Sequence, residues 1–150
     1  MSTTEGVPAV GADKDTWPAR NRAGGDFVSV RVPAAAAYLS VLRTTTASLA
    51  ARLDFTLDEI EDLRIAVDEA SCLLLAGAVE GAELTSVFAM SADSIQISVS
   101  TMTDNGHTPS RDSFAWTVLS ALAGEVDAWT EADGQQTISL IKHRSRDLLT

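Results

Sequence analysis

The side chains able to do chemistry in this sequence are few, and most stand alone. His107 and His143 are separated singletons with no second ligand at a metal-binding spacing, so no metal site is expected. Cys72 is the sole cysteine, which excludes an internal disulfide. It falls inside an apolar helical pattern, where a free thiol is expected to be buried and inert. Carboxylates gather at Glu61, Asp62, Asp68 and Glu69. They are raw material for base chemistry, although the plain reading of Glu69 is a solvated group near Arg64 or Asp68. Asp104-Asn105-Gly106 has the form of an ordinary turn. Arg43 lies in an amphipathic stretch, as a surface residue or as a docking anchor of the kind enriched at interface hot spots. Trp116 and Trp129 are expected in the core, and Trp17 stands outside it as a recognition residue or as nothing in particular.

The elements that must position these residues follow from periodicity. Residues 1–25 are rich in Gly, Ala, Thr and Pro without a hydrophobic period, so a flexible N-terminal tail is expected, with one folded domain over 26–150. Phe27, Val28, Val30 and Val32 form a strand stopped at Pro33. Leu39, Leu42, Leu49 and Leu53 share a helical face between Ala34 and Leu53. Thr56-Leu57-Asp58-Glu59 is a capping box that opens a second helix, with Ile60, Leu63, Val67, Ala70 and Leu74 inward and an end near Gly77. Leu84–Met90 and the alternating Ile95, Ile97, Val99 run predict a hairpin turned at Ala92-Asp93. Thr103 to Asp112 reads as a loop. Phe114, Val118, Leu119 and Leu122 make a short third helix from Ser113 to a left-handed Gly124. Val126–Trp129 and Thr137–Ile141 are strands joined through Asp133-Gly134. The order predicts an α+β fold: a two-layer sandwich with helices on one face of a mixed, mainly antiparallel sheet.

Composition narrows the partners. The chain has 150 residues with an apolar fraction of 45%, enough for one core. Eleven basic against 21 acidic residues give a net charge of -10, which repels nucleic acid and anionic lipid and favours a basic partner. No uncharged stretch approaches the roughly 20 apolar residues of a membrane span. The start carries Glu5 and Asp13 without a basic-then-apolar pattern, so a cytoplasmic protein is expected.

The segment from Glu61 to Cys72 closely resembles the helix that carries the N box in the anti-sigma-factor serine kinases, the RsbW-like branch of the histidine-kinase-like (GHKL) ATPase fold. Leu42 to Leu49 and Phe114 to Asp127 resemble the same family, above all its actinobacterial members, and the likeness runs from about Asp26 to His143. The resemblance implies a fold of the histidine-kinase-like ATPase type. In ATP-using members an N-box Glu polarises the attacking group, and an Asn one turn later holds magnesium. Glu69 matches the first; Leu73 stands at the second and cannot ligate a metal that demands oxygen. Asp104 and Gly106 match the family's adenine-binding Asp-x-Gly loop. The lid expected between Gly106 and Leu119 contains Phe114-Ala115-Trp116-Thr117 in place of a glycine-rich phosphate cradle. Possible cofactors are thus ATP or ADP, with Mg2+ disfavoured. Arg43 matches an Arg that related anti-sigma factors use against both the sigma factor and its competitor. The implied function is an anti-sigma factor that sequesters an alternative RNA polymerase sigma factor. A STAS-type anti-anti-sigma factor would release it, in stress transcription, and the chain would form a homodimer. The alternative is a serine protein kinase acting on the anti-anti-sigma factor, with Glu69 as the catalytic residue.

Overall fold

A computed structural model describes residues 25–104 and 108–145. The expected tail therefore lies outside the described residues. Strand β1 spans Phe27–Pro33 and helix α1 Leu39–Arg52; β2 covers Glu83–Met90 and β3 Ser94–Met102. Helix α2 runs Leu57–Leu75 and α3 Phe114–Ala123, followed by β4 at Glu125–Thr130 and β5 at Gln135–His143. The five strands form one sheet in the order β1-β2-β3-β5-β4. Every pairing is antiparallel, so the sheet expected to be mixed has no parallel pair among the described residues. This follows from the connections: β2–β3 and β4–β5 are tight hairpins, and the β3–α3–β4 crossover joins two strands of like direction that β5 separates, so they are not paired neighbours.

Alternation along the strands sorts the side chains by face. Leu84, Phe88, Ile95, Ile97, Val99, Ile138 and Leu140 are fully buried against the helices. On the opposite face Ser98 pairs with Ser139 and Ser100 with Thr137, joined by side-chain hydrogen bonds at 3.2 and 2.9 Å. Leu42 of α1 and Leu63, Val67, Ala70 and Leu74 of α2 complete the core. Burying a side chain such as Leu63 in full contributes about 1.5–3 kcal/mol.

The first helix begins later than its apolar pattern suggests. Ala36–Tyr38 form a single 3-10 turn and the α-helix starts at Leu39. The chain leaves Pro33 with Ala35 still extended, and the rise into helix comes only after it. Between α1 and α2, Asp54 takes a left-handed φ of 63°, which reverses the chain.

The capping box at the start of α2 forms as expected. Thr56 Oγ1 accepts from the Glu59 N–H at 3.1 Å, and Glu59 Oε1 accepts from the Thr56 N–H at 2.8 Å. Glu59 also receives the end of the domain. Its Oε2 accepts from the Ser145 N–H at 2.9 Å and from the Ser145 hydroxyl. Arg144 Nη1 donates to the Leu53 carbonyl at 3.0 Å. Glu59 is buried because two chain segments converge on it.

Candidate functional site

Helix α2 carries the candidate residues, and its 3.6-residue period separates them into two flanks. Asp68 and Glu69 are consecutive and so point about 100° apart. Asp68 faces α1, where its Oδ1 lies 2.6 Å from Arg43 Nη1. Both side chains are 37% exposed, so the pair sits at the surface of the helix seam. Glu69 lies seven residues after Asp62 and four before Leu73, which puts the three on the other flank. That flank faces α3: Lys142 Nζ lies 3.9 Å from Asp62 Oδ2 and donates at 2.8 Å to the Leu122 carbonyl in α3. Glu69 is half-buried, and Arg64, one of its expected neighbours, pairs instead with Glu61 at 2.7 Å.

Leu73 is half-buried and packs against the hydrophobic core. Its position cannot present an oxygen ligand, so the residues here do not fit the magnesium site of the ATP-using pattern. Asp104 is exposed at the end of β3. Its neighbour Thr103 is held firmly: the Thr103 N–H and hydroxyl both donate to the Gly134 carbonyl at 2.9 Å. Gly134 has φ +100°, and a Cβ there would lie 2.7 Å from the Thr103 oxygen, so this approach requires glycine. Ala78, just beyond α2, bridges Thr103 across the same end of the sheet. The C-terminal end of α2 and the Asp104 turn are thus adjacent. Asn105, Gly106 and His107 lie outside the described residues.

The segment before α3 is built from side chains. Ser113 Oγ caps the helix by accepting from the Trp116 N–H at 3.1 Å. Arg111 lies 4.5 Å from the centre of the Trp116 ring and 2.8 Å from Asp127 Oδ1. Phe114 is 81% exposed, so a bulky ring occupies the helix entry where a phosphate cradle needs bare backbone N–H groups. Trp116 is buried as expected, and Trp129 is half-buried. A groove of about 320 Å³ lined by Ala89, Gln96, Glu125, Ile141 and His143 opens on the sheet face opposite the helices, away from Glu69.

Cys72 corrects an expectation: it is exposed, not buried. Ser71 and Leu74 take the inward positions, and Cys72 falls with Ile65 and Asp68 on the outward stripe. Partial desolvation by its neighbours and then the charges of Asp68 and Glu69 raise the thiol pKa, against a smaller opposite pull from Arg43. The thiol therefore remains protonated and weakly reactive, although it is accessible. Sequence reasoning missed Asp68 as the partner of Arg43, Lys142 as a tie between α2 and α3, and Ser145 on Glu59. Each joins segments distant along the chain, and only the Arg and acid residue types hinted at the first.

Searches against known proteins return a consistent set. No family model matches the chain. The anti-sigma-F factor RsbW of Mycobacterium tuberculosis is 33% identical over 125 residues, covering 83% of this chain and 73% of the relative. The chain belongs to the RsbW family. The serine-protein kinase RsbW of Bacillus cereus is 36% identical over 81 residues, and the chain spans only 49% of that relative. The RsbU and RsbW domains of Rv1364c from Mycobacterium tuberculosis match in structure with a TM-score of 0.64 over 81% of this chain and 33% of that one, at 18% identity. That likeness establishes the fold, of which this RsbW-family chain is an antiparallel-sheet member.

Proposed function

We propose that this RsbW-family chain is an anti-sigma factor that sequesters an alternative RNA polymerase sigma factor. Likeness over most of its length to an anti-sigma-F factor carries the reading. Arg43 is the partner-binding residue in this reading. A STAS-type anti-anti-sigma factor competes for the same surface, and occupancy follows from mass action between the two partners. The protein acts in the cytoplasm in stress transcription and forms a homodimer. Among the described residues no helix is long and apolar enough to cross a membrane. The first test mixes the purified chain with sigma-F of Mycobacterium tuberculosis, the probe suggested by the relative's name, and follows co-elution in gel filtration. A stable complex that an anti-anti-sigma factor dissolves supports the reading. Separate elution at micromolar concentrations rejects it.

The second reading is a serine protein kinase, favoured by the match to Bacillus relatives named serine-protein kinases and by the half-buried Glu69. Asp104 and Gly106 would face the adenine of ATP or ADP, and Glu69 would polarise the attacking serine hydroxyl. Leu73 in the core argues against magnesium-dependent transfer. Calorimetric titration with ATP and ADP, with and without Mg2+, separates the readings: magnesium-dependent micromolar binding together with transfer of labelled phosphate to a serine substrate would establish the kinase.

A further inference from the structure

Arg43 reaches across the α1–α2 seam by a single contact, Nη1 to Asp68 Oδ1 at 2.6 Å. A guanidinium carries five N–H donors in a planar fork, and this contact engages one nitrogen of it. The edge formed by Nε and Nη2 makes no hydrogen bond to another described residue. Asp68 stands three residues after Ile65 and four before Cys72, so the three form one outward stripe of α2. Ile65 is 43% exposed, and Cys72 is exposed with a thiol that stays neutral. The 2.6 Å contact with Asp68 places the guanidinium beside the stripe. Arginine is among the residues enriched at interface hot spots, and the exposed Ile65 beside it adds apolar surface.

We propose that Asp68 is a positioning residue for Arg43, and that the patch of Arg43, Ile65 and Cys72 takes a protein segment presenting a carboxylate beside an aliphatic side chain. The inference rests on the anti-sigma reading for the role of Arg43, whereas Asp68, Ile65 and Cys72 come from the geometry. The surroundings are strongly acidic, with Glu61, Asp68 and Glu69 on the same helix. In that field Arg43 carries charge complementary to an incoming carboxylate, as does Arg64, which is paired with Glu61 at 2.7 Å. The open fork edge can donate two parallel hydrogen bonds to a carboxylate. An arginine already fixed by Asp68 loses less side-chain freedom on docking than a free one, so the pair favours slow dissociation.

The test measures association and dissociation rates of Mycobacterium tuberculosis sigma-F on the immobilised full chain and on Arg43→Ala, Asp68→Asn, the double variant and Ile65→Ser. Arg43→Ala is expected to weaken binding about tenfold or more. Asp68→Asn is expected to weaken it about three- to tenfold through faster dissociation, and to add nothing in the Arg43→Ala background. Ile65→Ser is expected to weaken it several-fold. If the unaltered chain does not bind, or Arg43→Ala is harmless, the anti-sigma reading of Arg43 falls and this inference falls with it. If Arg43→Ala weakens binding but Asp68→Asn is neutral, tightens the complex or adds fully to Arg43→Ala, the positioning role alone is overturned. An Ile65→Ser variant that binds like the unaltered chain removes the aliphatic part of the patch.

Discussion

Replacing Glu59 tests how the end of the domain is fastened to the helix that carries the candidate site. The carboxylate holds the Thr56 N–H at 2.8 Å and the Ser145 N–H at 2.9 Å, and it also accepts the Ser145 hydroxyl. Hydrogen bonds to a charged group contribute about 1.5–3 kcal/mol each, and loss of a helix cap costs about 1 kcal/mol. Water recovers part of this at a surface-adjacent site, so Glu59→Ala should cost about 2–4 kcal/mol, or roughly 8–15 °C in Tm for a domain of this size. Glu59→Gln retains a capping acceptor and should cost about 1 kcal/mol. The sign of the pH dependence follows from the ionisation of the group. Burial alone pushes the Glu59 carboxyl up, but the hydrogen bonds from Ser145 and Thr56 outweigh it and hold the pKa below the ordinary 4.5. Its contribution is therefore complete above the unfolded-state value and disappears as pH falls through the lower folded-state value. Urea unfolding followed by circular dichroism, on wild type and Glu59→Gln between about pH 7 and pH 3, should show a stability gap that closes on the acid side. A gap of the same size at both ends, or Glu59→Ala within about 0.5 kcal/mol of wild type at neutral pH, would refute the role assigned to the carboxylate.

Other substitutions probe the remaining ties. Gly134→Ala forces a Cβ to within 2.7 Å of the Thr103 oxygen at positive φ and should cost about 1–3 kcal/mol in urea unfolding; a neutral result means that the turn relaxes freely. Leu73→Asn puts an amide where an aliphatic chain packs on the core, and a loss of about 1–3 kcal/mol in a thermal melt is expected. Arg43→Ala should change stability by less than about 0.5 kcal/mol, because both members of its ion pair are more than a third exposed; a larger loss would make Arg43 structural. Alkylation of Cys72 by iodoacetamide should be slow at neutral pH and accelerate as pH rises, in keeping with an accessible thiol of raised pKa, and fast labelling at neutral pH would contradict that assignment.

The order of elements was legible because local signals agreed with the global fold. Thr56 and Glu59 are three apart, Asp133-Gly134 separates two alternating runs, and Gly124 ends an apolar helix; each signal is contained within a few residues. The sheet's pairing was less legible, since the β3–β5 neighbourhood brings together residues on either side of α3. Cys72 shows a different failure. Its apolar neighbours Leu73 and Leu74 suggested burial, but helix phase and not neighbour composition decides exposure, and Cys72 shares its phase with Asp68. At Glu59 the capping box is readable locally, but the second carboxylate oxygen is taken by Ser145, far along the chain, which no local signal indicates.

The phase of α2 also bears on how its two candidate activities relate. Because Asp68 and Glu69 are consecutive, a single helix presents one surface toward α1 and another toward α3. Partner docking through Arg43 therefore does not require the Glu69 flank to be a working nucleotide site. Leucine at position 73, on the Glu69 flank, leaves the expected magnesium position without an oxygen ligand and lies away from the Arg43–Asp68 seam. Loss of phosphoryl transfer and retention of protein binding are separable at the level of helix geometry. Coupling between the two flanks would have to pass through the position of the helix itself, and the Glu59–Ser145 tie at its N-terminus is one contact that fixes that position.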